Sequence, residues 1–275
     1  MNKLGALMVF VVGCSDGGGG GGGADAPSGS DAPGGSDAPR PTKTGLVFIQ
    51  SYTAEQPPGT MIRGGSASAS FSTAACPSET HGDCQVSSCS QTPAPVSAGT
   101  ITITGAALPL SLVPTAAKTY PASNSTTQAY FTGGATVMFA AAGGDVPAFT
   151  LSLATPTRPT ITAPAEPPSA SPSLMVTRAN PFAVSWTGGS GRVQVWLLGG
   201  GGSGPTVKCL FPASAGSGAV PASALAMLPV GQGSFAMAAI SEAEITIGDY
   251  GVTAQGYYNA VWPDGSIVSG PTMVQ

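Results

Sequence analysis

From Gly45 onward the apolar positions come in short runs, many with a period of two. Leu46-Val47-Phe48-Ile49 is one compact run. Ser66-Ala67-Ser68-Ala69-Ser70-Phe71-Ser72-Thr73 alternates small polar with less polar residues, and Thr100-Ile101-Thr102-Ile103-Thr104 alternates β-branched ones. Ala135-Thr136-Val137-Met138-Phe139 and Ala148-Phe149-Thr150-Leu151-Ser152-Leu153 follow, each bounded by Gly or Pro. Successive side chains on a strand point to opposite faces, so this period predicts strands with one buried face. Helical periodicity is nearly missing. The exception is Pro221-Ala222-Ser223-Ala224-Leu225-Ala226-Met227-Leu228, where a proline precedes good helix formers and predicts two helical turns. The expected fold class is all-β.

Prolines punctuate this β region. Pro156, Pro159, Pro164, Pro167, Pro168 and Pro172 crowd one stretch. Proline donates nothing to a strand ladder, so the stretch predicts a stiff linker or an edge. It divides the β region into a first domain over 45–158 and a second over 159–275, each of β-sandwich size. In the second, Pro181-Phe182-Ala183-Val184-Ser185-Trp186-Thr187-Gly188-Gly189 precedes Arg192-Val193-Gln194-Val195-Trp196-Leu197, and Phe182, Val184 and Trp186 share a face. This text resembles the strand–turn–strand around the core tryptophan of immunoglobulin-like and fibronectin type III-like domains. The resemblance implies two β-sandwich, immunoglobulin-like domains.

The first 44 residues follow another pattern. Met1-Asn2-Lys3 carries one positive charge, and Leu4 to Val12 is nearly all apolar. That stretch is too short to span a bilayer as a helix but suits a signal peptide. It ends Val11-Val12-Gly13-Cys14, which resembles the lipobox of bacterial lipoproteins. The resemblance implies a signal peptide over 1–13, cleavage after Gly13 and diacylation of the Cys14 thiol. Two or three acyl chains, at about 0.8 kcal/mol per buried CH₂, give a stable anchor where one does not. Ser15, following the cysteine, resembles outer-membrane cargo. Residues 14–44 then hold the glycine run Gly17 to Gly23 and a six-residue near-repeat centred on Asp25, Asp31 and Asp37. Nothing there can bury apolar area, so a disordered Gly/Pro/Ser/Asp linker is expected. As a flexible coil it would span about 30 Å, from about 5–6 Å × √n. Lipobox, tether and the Val-Ser-Trp-Thr-Gly-Gly strand together resemble myxobacterial-type lipoproteins.

Composition sharpens this picture. Only 8% of the residues are charged, the net charge is −4, and no cluster of Lys or Arg occurs. Phosphate neutralisation needs such clusters, so a nucleic-acid partner is not expected. Hydrophobic residues make up 42%, enough to bury a core.

After Cys14, four cysteines remain: Cys76, Cys84, Cys89 and Cys209. An even number in an exported protein favours disulfides, with the pairing open. Cys76, His81, Cys84 and Cys89 also hold the residue types of a zinc site, but not its usual ligand spacing; no metal or cofactor is expected. His81 is the only histidine, so a serine triad would have to use it; its loop setting beside Asp83 reads as solvated instead. Gly188-Gly189-Ser190-Gly191 fails the nucleophile-elbow pattern at Arg192, and Gly199 to Gly204 lacks a phosphate loop's Lys-Ser/Thr ending and reads as a hairpin loop. Glu242 and Glu244 share one face of a strand-like stretch, a spacing expected of a solvated face. Trp196, Tyr257, Tyr258 and Trp262 are candidates for a ligand-stacking platform, with core packing as the competing role. Trp196 lies on the face opposite Val193, Val195 and Leu197.

The expected function is therefore a membrane-anchored, extracytoplasmic lipoprotein of the cell envelope. It would be a non-enzymatic structural or interaction module, with the membrane engaged through Cys14 and a protein or glycan as a further partner. The alternative is a glycan- or peptide-binding surface lipoprotein. An extracellular hydrolase has the least support.

Overall fold

The computed structural model describes residues 41–56, 60–74, 76–88, 93–167, 173–200 and 204–275. Cys14, most of the tether and Cys89 lie outside these residues. The described chain is nearly all β-structure. The expected apolar runs become strands β1 (Lys43–Gln56), β2 (Thr60–Ser72), β5 (Ile101–Thr104), β8 (Thr136–Ala141) and β9 (Phe149–Ala154).

The largest sheet has 11 strands. Its path runs β3 (Ser78–His81), β4 (Cys84–Ser87), β14 (Thr206–Pro212), β13 (Arg192–Leu198), β16 (Gly231–Ile247), β17 (Tyr250–Asn259), β1, β2 and β7 (Ser123–Ser125). Beside β16 also lies β18 (Ser269–Val274), with β11 (Leu174–Val176) next to it. The β1–β17 and β11–β18 pairs are parallel, and the others are antiparallel.

The long strand β16 organises the packing. Its odd-numbered residues share one face of the sheet. Phe235 and Met237 belong to one apolar core, and Ala243, Ile245 and Ile247 pack against another. Both cores therefore lie on the same face, here called inner. Over one end of it sits a four-stranded sheet, β6 (Leu110–Leu112), β5, β8 and β9. There Ile101, Ile103, Val137 and Phe139 meet Val47, Ile49, Phe71 and Val252. Over the other end sits a three-stranded sheet, β10 (Pro159–Ala163), β12 (Phe182–Gly188) and β15 (Ser217–Val220). There Ile161, Val184, Trp186 and Val220 meet Val195, Leu197, Phe211 and Phe235. Two sandwiches thus share one sheet.

The cores do not follow the 158/159 boundary. Strand β17, late in the chain, supplies Tyr250, Val252 and Ala254 to the first core, while β4, early in the chain, supplies Cys84 and Val86 to the second. The physical reason is that β16 is 17 residues long, enough to cross from one core to the other and return as β17 beside β1. The proline-rich stretch contributes β10, an edge strand, where a missing ladder donor is tolerated.

Trp186 fills the second core as its sequence context implied, and its indole N–H donates to the Ala213 carbonyl at 2.8 Å. The link from β12 to β13 crosses between sheets and is not a hairpin. Gly191 allows that crossing: its φ is +72°, and a Cβ there would stand 2.6 Å from the Ile240 carbonyl oxygen. The expected two-turn helix is shorter, with α1 confined to Ala222–Leu225. Beyond it, Met227 and Leu228 donate to carbonyls three residues back, and Pro229 follows. The second turn is therefore tightened and then stopped.

Candidate functional site: a groove on the outer face

The outer face of the large sheet, opposite both cores, is shaped by β16. Where Phe235 and Met237 point inward, the alternate residues Ala236 and Ala238 point outward. The strand register sets large side chains on both sides of these two methyl groups. Trp196 stands opposite Ala236, Gln194 opposite Ala238, and Asn259 opposite Ala238 from the other flank. Tyr257 pairs with Gln50, and Phe48 lies one step along β1. Small residues between tall ones leave a groove of about 580 Å³, counted out to its open mouth. Leu46 and Phe48 complete its wall.

Most polar groups around the groove are engaged with one another. Gln50 Nε2 donates to Asn259 Oδ1 at 2.6 Å. Tyr257 Oη donates to Gln255 Oε1 at 2.5 Å, and Gln255 Nε2 donates to Glu242 Oε1 at 2.5 Å. Arg192 is ion-paired with the same carboxylate. This chain of bonds fixes the Gln255 amide and, through it, the Tyr257 ring. Phe48 packs edge-on to Tyr257, with ring centroids 6.2 Å apart. Gln194 differs: it is only 9% exposed, and its Oε1 has no hydrogen-bond partner. A buried acceptor left this way costs about 1–3 kcal/mol.

The four candidate aromatics divide evenly. Trp196 and Tyr257 line the groove. Tyr258 faces inward, edge-on to Phe131 at 5.7 Å, and Trp262 is buried in the second core. Phe48, Gln50, Gln194 and Asn259 were not foreseen as lining residues. Glu242 is not on a solvated face, because Arg192 and Gln255 hold it; Glu244 is exposed.

Cys84 and Cys209 form a disulfide between directly paired residues of β4 and β14. Cys76 is also disulfide-bonded. A disulfide sulfur is not a thiolate ligand, so the cysteine–histidine zinc alternative fails at Cys84. His81 ends β3 in a tight hairpin opposite Cys84, its Nε2 3.7 Å from Glu79. Among the described residues, no three His, Cys, Asp or Glu side chains gather as metal ligands. β13 and β14, on either side of the glycine run, pair antiparallel. Among the described residues, no helix is long and apolar enough to cross a membrane. No protein-family model, curated protein or solved structure matches the chain.

Proposed function

We propose that this protein is an exported, lipid-anchored, non-enzymatic binding module of the cell envelope, with the outer-face groove as its ligand seat. The observation that carries this reading is the groove itself. Aromatic and amide side chains flank two alanines on a face that neither core needs. The Val-Val-Gly-Cys14 lipobox and glycine-rich tether support a membrane anchor and a spacer. The Cys84–Cys209 disulfide suits an oxidising compartment. A linker of this composition would let the body reach a partner roughly 30 Å from the membrane.

The test fills the groove without touching either core. Ala238→Leu places a branched side chain between Gln194 and Asn259. Wild-type and variant proteins, both purified from membranes, are incubated with isolated envelope material. The wild type should be retained and A238L released, with unchanged circular dichroism and unchanged palmitate labelling. Equal retention of the two proteins would remove the groove from the function.

A further inference from the structure

The chain has five cysteines, and Cys84 and Cys209 are joined to each other. Cys76 is disulfide-bonded as well, so its partner within the chain is Cys14 or Cys89. The register of the β3–β4 hairpin chooses between them. His81 pairs with Cys84, Glu79 with Val86 and Ser78 with Ser87. Carried two residues further, that register sets position 76 directly opposite position 89.

The kind of pair fits a disulfide too. Opposed residues of an antiparallel ladder alternate between hydrogen-bonded pairs and closer, non-hydrogen-bonded ones, whose Cα atoms lie about 4.5 Å apart. Disulfides form over Cα separations of roughly 4.4–6.8 Å. The Leu210 N–H donates to the Asp83 carbonyl, which makes Cys84–Cys209 a non-hydrogen-bonded pair. Cys84 therefore turns its own N–H and C=O toward β3, and its pair with His81 is hydrogen-bonded. Counting outward, Glu79–Val86 is hydrogen-bonded and Ser78–Ser87 is not. Positions 76 and 89 are again a non-hydrogen-bonded pair, the same kind that Cys84 and Cys209 use. They share the face of Ser78 and Ser87, opposite to that of Cys84, so the two bonds do not compete.

The hairpin also needs such a bond. Pro77 has no N–H to give at the intervening hydrogen-bonded position, and β3 starts only at Ser78. Its residues Ser78-Glu79-Thr80-His81 bury no apolar side chain, and among the described residues β4 is its sole strand neighbour. Ladder bonds alone leave so short a strand marginal.

We propose that Cys76 and Cys89 form a second cross-strand disulfide, which pins the edge strand β3 and leaves Cys14 as the odd cysteine, its thiol open to acylation. The Sγ–Sγ bond forms as the two thiols give up two protons and two electrons to an external protein disulfide, which becomes a dithiol. The oxidising compartment follows from the export reading, whereas the pairing rests on the register.

The experiment is peptide mapping of the full chain purified from whole cells, alkylated with iodoacetamide without reductant. Cleavage after Glu79 by a glutamyl protease and ahead of Val86 by thermolysin separates Cys76, Cys84 and Cys89. The Cys76 and Cys89 peptides should be recovered cross-linked, with Cys14 in neither disulfide. In Cys76→Ser, Cys89 should become alkylated, and the Glu79 amide should exchange about ten-fold faster or more while the amides of β13 keep their rates. A Cys14–Cys76 cross-link, or an alkylated Cys89 in the wild type, would overturn the proposal. Unchanged exchange at Glu79 would overturn the pinning of β3. A Cys76–Cys89 bond beside a Cys14 without lipid would uphold the pairing and remove the membrane anchor.

Discussion

Cys84 and Cys209, 125 residues apart in sequence, face each other on β4 and β14 and are joined by a disulfide. The bond ties the early β3–β4 hairpin to the second core, to which both sulfur-bearing residues belong. Closing so long a loop restricts the unfolded chain, an effect of typically about 2–5 kcal/mol. The double variant Cys84→Ala/Cys209→Ala should unfold at lower denaturant by that amount. Peptide mapping without reductant should recover the cross-linked pair, and an unchanged midpoint would show that the bond contributes little.

Two buried tryptophans ten residues apart should differ in what they contribute to stability. Trp186 fills the second core and bonds Ala213; Trp196 lines the groove. Trp186→Ala should cost about 3–5 kcal/mol by the usual penalty for emptying a core aromatic site. Trp196→Ala should cost clearly less. Urea unfolding of both variants provides the comparison, and equal losses would place Trp196 in the structural framework.

Gln194→Leu should stabilise the unliganded protein. It replaces a buried unpaired acceptor with an apolar group of similar shape, a gain of about 1–3 kcal/mol. A fall in the denaturation midpoint would mean that Gln194 has a partner in the folded chain.

Cys14→Ser should abolish incorporation of labelled palmitate and release the protein from membranes. Undiminished labelling would refute the lipobox assignment.

Asp145 provides a pH test. It accepts from the Ser97 backbone N–H at 2.9 Å and pairs with Lys118 at 3.0 Å. These contacts, led by the backbone hydrogen bond, hold its carboxyl below the ordinary aspartate range. A carboxylate with a depressed folded pKa adds stability above its unfolded pKa, and that stability is lost as pH falls through the folded value. The wild type should therefore lose stability with acidification more than Asp145→Asn does. Carboxyl titration by NMR should place Asp145 below an unstructured aspartate.

The strands were legible because period-two alternation survives in β5, β8 and β9, each with one face in the first core and one toward solvent. Trp196 could be placed opposite Val193, Val195 and Leu197 for the same reason. Tyr258 and Trp262 could not be sorted from Tyr257, since an aromatic in a strand looks alike whichever face it serves. A signal for the groove does exist in β1. Leu46-Val47-Phe48-Ile49 is apolar at all four positions, and an unbroken run means both faces of the strand are covered. Val47 and Ile49 enter the first core; Leu46 and Phe48 wall the groove. The outward alanines of β16 carry meaning only beside their neighbours, and the register with β13 and β17 is a long-range fact. The 158/159 division misjudged connectivity for a related reason: local composition marks a break in the chain, not which distant strands pair across it.

The sharing of β16 by both sandwiches has a consequence for assembly. A fragment ending at the proline-rich stretch would leave β1 without its parallel neighbour, and the complementary fragment would lack β4 beside β14. Neither piece could mature alone, and each would expose unsaturated backbone edges that invite aggregation. The polypeptide must therefore be made nearly to its last strands before its earliest strand finds its permanent mate.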